Sequence, residues 1–345
     1  MLNIISLQAL RKKSTWPSKV AKNLIKWLDL IWEPYIINWD PKIFKNIYIL
    51  DDETSFHNLD KFPNDCEILA WPILHWKKNI PDNIWNRYRF VYASNWIKNL
   101  WYKYKWHRNS VARPVWIDTY SYLPSKEKKD KVLIYFKTRY PEELELCKDL
   151  LNKKWIAYNI INYDIWYQEK VFLDYLKITK YVIRIWRQET QWIALEEILS
   201  MNIPVLLWDV RKVDDWYPNT EYEKNSYQWG ERKEPATSAY YFDETCWIRF
   251  YDKKDLEKNI EIMEKNWGSS YAPRKYIEEN LSLEKQAKEM ISFYSNPSRW
   301  NNIKKKRYTR NNFLLKLEWM IIDSKIFSIF YKPLVSLYQK IFIKK

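Results

Sequence analysis

At 345 residues the chain is long enough for two domains, each burying its own core, which excludes a single small binding module. Its 47% hydrophobic and 29% charged residues make it too apolar for general disorder, and the net charge is +15. Three scattered cysteines, Cys66, Cys147 and Cys246, lack metal-ligand spacing and argue against a disulfide framework, so reduced thiols in a cytoplasmic protein are expected.

The opening MLNIISLQALRKKS has neither the long apolar stretch nor the small-residue cleavage site of a signal peptide. Residues 2–9 read as a strand. A helix is expected from about Pro17 to Leu30, capped by Ser14 or Thr15 with Pro in its first turn. Strand-like runs follow at 33–38, 46–51, 67–70 and 89–94, then a helix at 95–104. The apolar-free SKEKKD (125–130) reads as a linker, after which KVLIYF (131–136) begins a second set of units. These are helix 141–153, strand IAYNIIN, helix 168–177, strand YVIRI, helix 192–201 and strand IPVLLWD. Strands alternating with helices predict parallel sheets covered on both faces, with ligands beyond the carboxyl ends of the strands. The aromatic-rich excursion 211–242 either packs on its own domain or stacks on sugars. No segment offers about 18 uninterrupted apolar residues, so no spanning helix is expected.

The chain has 2 glycines and 22 tryptophans, and several tryptophans stand where backbone geometry asks for glycine. Trp32 and Trp155 each follow an amphipathic helix and precede a strand, where a left-handed helix cap is expected. Trp192 sits where a helix start should approach a ligand. The expectation is that many such positions are glycine in the biological protein, UGA codons meaning glycine having been read as tryptophan. Trp96, Trp208, Trp216, Trp229 and Trp267 suit their contexts as tryptophan.

The chemistry concentrates in RIWRQETQWIALEEILSMNIPVLLWD (184–209). Glu189, Thr190, Gln191 and Trp192 fall between a strand's carboxyl end and a helix's amino end, where free N–H groups and the helix dipole suit a diphosphate. A residue without a side chain at 192 would admit the phosphate. Glu197, eight residues after Glu189 and expected to be exposed, could accept hydrogen bonds from two ribose hydroxyls. The plainer alternative is that both are ordinary helix glutamates. His75, after a strand, is a candidate acceptor contact; His57 and His107 have less context.

The run E-T-Q-W-I-A-L-E-E followed by M-N-I-P-V resembles the donor signature E-x-x-G-x-x-x-x-E and G-x-P-V of the retaining GT-B glycosyltransferases called group 1. Glu189, Glu197, Pro204 and Val205 match, Trp192 takes the glycine place, and Asn202 departs from a glycine. VARPVWIDTYSYLP, ASNWIKNLW, ETCWIRFYDKKDLEKNI and PRKYIEENLSLEKQAKEMISFY resemble further family segments in the same order, so the similarity covers about 90 to 298.

The resemblance implies an α/β GT-B fold of two doubly wound Rossmann-like domains with an interdomain cleft. It divides the chain into an acceptor-side domain at 1–118, a linker at 119–130, a nucleotide-sugar-binding domain at 131–272, a crossing C-terminal helix at 273–298 and a tail at 299–345. It implies that Glu197 binds ribose, that Glu189 binds the donor sugar, and that amides around Thr190 to Trp192 bind the diphosphate. Lys137 and Arg139, with Arg187 as a further candidate, would neutralise the leaving diphosphate. The family's loop after its first strand points to Trp16, in a glycine position, and to Lys19. No metal and no cofactor are expected; the nucleotide-diphosphate sugar is the donor substrate.

Residues 299–345 carry twelve Lys and Arg against Glu318 and Asp323, interleaved with FLLKLEWMIID and KIFSIFYKPLVSLYQKIFI. Such a basic amphipathic segment is expected at an anionic membrane surface, placing the protein at the inner face of the membrane beside a saccharide or lipid-linked acceptor in cell-surface polysaccharide or glycolipid synthesis. Nucleic-acid binding is the weaker reading of that charge. Two other functions stay open: a nucleotide-sugar epimerase of the same fold, and a non-catalytic basic membrane- or nucleic-acid-binding protein.

Overall fold

The structure is a computed structural model that describes residues 2–6, 16–40, 42–43, 46–49, 62–63, 65–70, 88–105, 110–165, 167–189, 193–215, 233–239, 241–285 and 288–289. The tail expected at an anionic surface therefore lies outside the described residues. So do residues 216–232 of the aromatic excursion.

The first half supplies strands β1 (Leu2–Ile5), β2 (Tyr35–Ile37), β3 (Asn46–Ile49), β4 (Glu67–Ala70), β5 (Tyr88–Tyr92) and β6 (Ser110–Ala112). Helix α1 (Trp16–Leu30) follows β1, and α2 (Asn95–Lys105) follows β5. The strands form one sheet in the order β2-β1-β3-β4-β5-β6, parallel throughout. In α1 the apolar residues recur at helical spacing, and Val20, Ala21, Leu24, Trp27 and Leu28 are all buried. β6 is the one strand of this sheet that sequence periodicity does not reveal: its three residues, SVA, are too short to show an alternation.

The second half contains β7 (Lys131–Lys137), α3 (Pro141–Lys153), β8 (Tyr158–Asn162), α4 (Glu169–Lys177), β9 (Thr179–Trp186), α5 (Ile193–Ser200), β10 (Val205–Trp208), β11 (Trp247–Phe250), α6 (Leu256–Asn266) and α7 (Pro273–Asn280). Its sheet runs β11-β10-β9-β7-β8, again all parallel. β7 and β9 are aliphatic and aromatic runs buried on both faces, as a parallel sheet between helix layers requires. One face packs Val132, Ile134, Tyr181, Ile183 and Leu206 against Leu151, Ile260 and Met263 of the covering helices. The architecture is the α/β GT-B fold, with two parallel sheets in one compact unit.

After α7 the chain returns to the first half. Ile117 bridges Ser282 in parallel, and the Ile117 amide donates to the Leu281 carbonyl at 3.2 Å. Arg274 on α7 donates through Nη1 to the carbonyls of Tyr122 (2.9 Å) and Ser200 (2.7 Å), tying the linker to the carboxyl end of α5, where a cation also meets the helix dipole.

Three helices end in the same way. After α1 the Trp32 amide donates to Asp29 O (3.2 Å) and the Glu33 amide to Leu28 O (3.0 Å); after α3 Trp155 donates to Asn152 O (3.0 Å) and Ile156 to Leu151 O (2.9 Å). After α5 Asn202 donates to Leu199 O (3.0 Å) and Ile203 to Ile198 O (3.3 Å). These are Schellman caps, whose central residue must be left-handed. Trp32, Trp155 and Asn202 have φ of 58°, 56° and 58°. Glycine is the usual occupant of this position and asparagine the next; an indole-bearing residue is strained there. The two indoles gain nothing in return, since Trp32 is 92% and Trp155 95% exposed. Trp27, Trp116, Trp186 and Trp208 are buried.

The cap geometry yields a test of the glycine reading. Trp32→Gly and Trp155→Gly should each raise stability by about 0.5–1 kcal/mol, relief of left-handed strain exceeding the added chain entropy, whereas Trp27→Gly should lower it by about 3 kcal/mol or more. Denaturant midpoints measure all three, and the codons at 32 and 155 should be UGA. UGG codons with no gain in stability would make these genuine tryptophans.

Candidate functional site

In the second sheet β7 and β9 are neighbours, but the chain leaves them in opposite directions, β7 through α3 to β8 and β9 through α5 to β10. Such a switch point opens a crevice beyond the carboxyl ends of the two strands. Lys137 ends β7 and Glu189 lies three residues past β9, and they meet there, Nζ to Oε1 at 2.6 Å. Glu189 Oε1 also accepts the Trp186 indole N–H (2.8 Å) and lies 3.6 Å from Arg187 Nε. Its amide donates to Thr237 O (3.3 Å), and its carbonyl accepts the indole N–H of Trp96 from α2 in the first half (3.1 Å).

The electrostatics of this cluster follow from burial. The Lys137 ammonium lies over the rings of Tyr163 (4.2 Å) and Trp186 (4.5 Å). Burial, aided by the like charges of Arg187 and Arg184 and opposed by Glu189, brings its pKa down to about 8. Burial works to raise Glu189, but Lys137 and Arg187 outweigh it and hold the carboxyl below its ordinary range. Arg184, buried on β9 with its guanidinium 5.0 Å from the Trp186 ring, adds a third cation near the same strand ends. Lys137 and Arg187 thus both act on the Glu189 carboxylate, and Arg184 acts on Lys137.

Glu197 is not the exposed helix carboxylate expected. It is 1% exposed, and its Oε1 accepts hydrogen bonds from Lys19 Nζ on α1 (2.6 Å) and from the Tyr122 hydroxyl on the linker (2.8 Å). Lys19 also reaches Glu169 Oε1 at the start of α4 (2.6 Å). Although burial works against it, the two carboxylates hold the Lys19 ammonium above its ordinary pKa. The neighbouring Glu196 is buried differently: it accepts the Tyr241 hydroxyl (2.9 Å), no cation among the described residues pairs with it, and desolvation pushes its pKa well up. Two adjacent glutamates thus read alike in sequence and stand in opposite charge environments. Every residue of α5 except Ala194 is buried, its two glutamates included, and the helix packs against α7.

Lys137 and Arg139 point to different places although they flank one residue. Thr138 between them has φ 48°, held by hydrogen bonds from its amide (3.0 Å) and hydroxyl (3.1 Å) to Asp164. That left-handed residue breaks the strand's alternation. Arg139 turns inward, bidentate on Glu143 (2.9 and 2.5 Å), and donates Nη1 to the carbonyls of Trp186 (3.1 Å) and Trp208 (3.3 Å). It staples strand ends and is not brought to the Lys137–Glu189 pair.

The structure therefore brings Glu189, Lys137 and Arg187 together at one place and Glu197 with Lys19 at a second. Of Trp16, which opens α1, only the backbone is described. Thr190, Gln191, Trp192 and His75 lie outside the described residues. Sequence reasoning missed Arg184, Tyr122, Glu169 and Asp209. Asp209, buried at the end of β10, accepts from the amide (2.7 Å) and hydroxyl (2.7 Å) of Ser238 and from the Thr237 hydroxyl, which fixes the carbonyl that receives the Glu189 amide. A lone acid closing the apolar run IPVLLW was the signal available for it. Tyr122 had none.

No protein-family model and no curated protein sequence matches the chain. Solved structures match it by shape. TarM of S. aureus, solved as a point mutant with fondaparinux, alpha-GlcNAc-glycerol and UDP, is similar at a TM-score of 0.51 and 11% identity over 80% of this chain and 59% of TarM. Sucrose-phosphate synthase of Thermosynechococcus elongatus is similar at 0.51 and 8% identity over 85% of this chain and 98% of its own. Both are GT-B glycosyltransferases. The chain spans less than two thirds of the length of TarM.

The Lys137–Glu189 pair sets a pH signature. Because the folded-state pKa of Lys137, about 8, lies below the 10.5 of a free lysine, the unfolded chain binds that proton more tightly between the two values. This group thus favours folding increasingly as pH rises from about 8 toward 10.5, and its help is absent below that window. Glu189→Gln removes the largest charge opposing desolvation and should carry the Lys137 pKa further down, as read from its side-chain NMR titration. A titration unmoved by the substitution would show that Glu189 is not the partner that matters.

Proposed function

We propose that the chain is a glycosyltransferase that moves a sugar from a nucleotide-diphosphate sugar to a saccharide or lipid-linked saccharide acceptor, with retention at the anomeric carbon. The observation that carries the reading is the Lys137–Glu189 pair, 2.6 Å apart at the switch point of the second sheet, with Glu197 eight residues on. Cations gathered near the carboxyl ends of these strands suit a diphosphate.

In this reading Glu197 receives the two ribose hydroxyls, and Glu189 receives hydroxyls of the transferred sugar. Lys137, Arg187 and Arg184 face the diphosphate, with the amides of Thr190 to Trp192 completing its cradle. The bond between the anomeric carbon and the phosphate oxygen breaks, and its electron pair leaves with the nucleoside diphosphate. The acceptor oxygen bonds to the carbon on the same face and its proton passes to the departing phosphate. Stabilising the charge that accumulates on that phosphate is the main electrostatic task. Arg139 has no part in it, being committed to Glu143 and two carbonyls.

An epimerase of the same fold would return an isomeric nucleotide sugar and a binding protein would return the donor unchanged, so neither would release nucleoside diphosphate in response to an acceptor. The decisive assay is therefore acceptor-dependent release of nucleoside diphosphate from a panel of nucleotide sugars. Glu189→Gln should lower turnover by about a hundredfold, since its contacts strengthen as the anomeric carbon becomes positive. Glu197→Gln should weaken donor binding by about tenfold, about 1.4 kcal/mol. It should also cost stability, because Lys19 and Tyr122 lose a buried charged acceptor. Turnover and donor affinity unchanged in both variants would refute these roles.

We further propose that residues 299–345 hold the protein at the inner face of an anionic membrane, beside a lipid-linked acceptor. Each basic residue near the headgroups contributes about 1 kcal/mol, screened by salt. The full chain should pellet with phosphatidylserine vesicles at low salt and be released at high salt. Equal pelleting with neutral vesicles would leave the tail without this role.

A further inference from the structure

Glu197, the carboxylate read above as the ribose contact, is shut. The hydrogen bonds it accepts from Lys19 at 2.6 Å and Tyr122 at 2.8 Å converge on the single oxygen Oε1, and the residue is 1% exposed. A vicinal diol that engages both oxygens of this carboxylate must compete with those donors for Oε1. Tyr122 is committed by desolvation and by Glu197 to remain a protonated donor, its pKa pushed well above the ordinary range. Lys19 is the donor with somewhere to go. Its ammonium already holds Glu169 at 2.6 Å, and its side chain is 24% exposed. Letting go of Glu197 leaves it paired and close to water.

The rest of α1 is held by contacts that do not involve Lys19. Lys19, Asn23 and Lys26 form one polar stripe at i, i+4 and i+7. Asn23 Nδ2 donates to Trp116 O at 2.9 Å, and Lys26 pairs with Asp118, both at the end of the first half. Lys19 reaches across to α4 and α5 of the second half. We propose that Lys19 is an autoinhibitory latch: it competes with the ribose of the donor for Glu197 and swings onto Glu169 when nucleotide binds, so that donor binding releases one tie between the two halves. The inference rests on the reading of Glu197 as the ribose contact.

Full-length protein is titrated calorimetrically with UDP, ADP, GDP and inorganic pyrophosphate, in the parent, Lys19→Met and Lys19→Gln. Lys19→Met should bind the preferred nucleoside diphosphate about tenfold more tightly, because the binding-competent state no longer has to be selected from a closed one. Pyrophosphate, which has no ribose, should bind parent and variant alike. Lys19→Gln, which removes the charge and shortens the reach, should gain about threefold, and it carries the test if Lys19→Met does not fold. Unchanged or weaker nucleotide binding in the variants overturns the latch, weaker binding making Lys19 a direct ligand contact; an equal gain for pyrophosphate overturns it too. If parent and variants alike bind no nucleoside diphosphate, the assignment of the site falls and the latch with it.

Discussion

A carboxylate taken out of water must meet a cation or give up its charge, and that constraint organises the crevice. Three glutamates crowd the ends of β9 and α5, and each meets the constraint differently. Glu189 is held ionised by Lys137 and Arg187, Glu197 is paired with Lys19, and Glu196, next to a tyrosine hydroxyl, is pushed toward its neutral form. The pairs are cross-links as well as charges. Lys137–Glu189 joins two neighbouring strands, whereas Lys19–Glu197 and the Trp96 indole on the Glu189 carbonyl join the two halves of the molecule. Breaking one partner of such a pair is far more disruptive than its net stabilisation suggests.

The same economy governs the linker. Arg274 uses one nitrogen on the carbonyls of Tyr122 and Ser200, while Ser200 Oγ donates to the Tyr122 carbonyl at 3.1 Å. Tyr122 is thereby fixed by its backbone to the helix whose Glu197 its hydroxyl contacts. Linker, α5 and α7 form one hydrogen-bonded knot, and Ile117 and Leu281 extend it to the first half. Glu197 is thereby connected through hydrogen bonds to the backbone that joins the halves.

Much of the fold was legible in sequence because parallel sheets write themselves as uniformly apolar runs, and amphipathic helices as 3.6-residue repeats. KVLIYFK and α1 are examples of each. β6 was not, being three residues whose strand character comes only from pairing with β5. At the site, the meeting of Glu189 with Lys137 follows from strand ends and topology. The pairing of Lys19 with Glu197 does not, because 178 residues separate them and the contact depends on how the two halves dock. Arg139 misled for a local reason: the left-handed Thr138 turned it away from the face its spacing implies. Tyr122 carried no pattern at all, since an aromatic in a linker looks the same whether it faces water or a buried acid.

The two exposed cap tryptophans bear on how the chain behaves as a material. A helix cap lies where the backbone turns back at the surface, so whatever side chain stands there is presented outward. Trp32 and Trp155 each hold almost their whole ring in water, on opposite halves of the molecule. Each is a single apolar point on the surface, alongside other exposed apolar side chains such as Trp39, Ile43 and Leu123. Replacing each ring by a hydrogen atom removes both points without touching a core contact. The polypeptide spelled with tryptophan and the one spelled with glycine would thus share a fold and differ in the apolar surface they show to water.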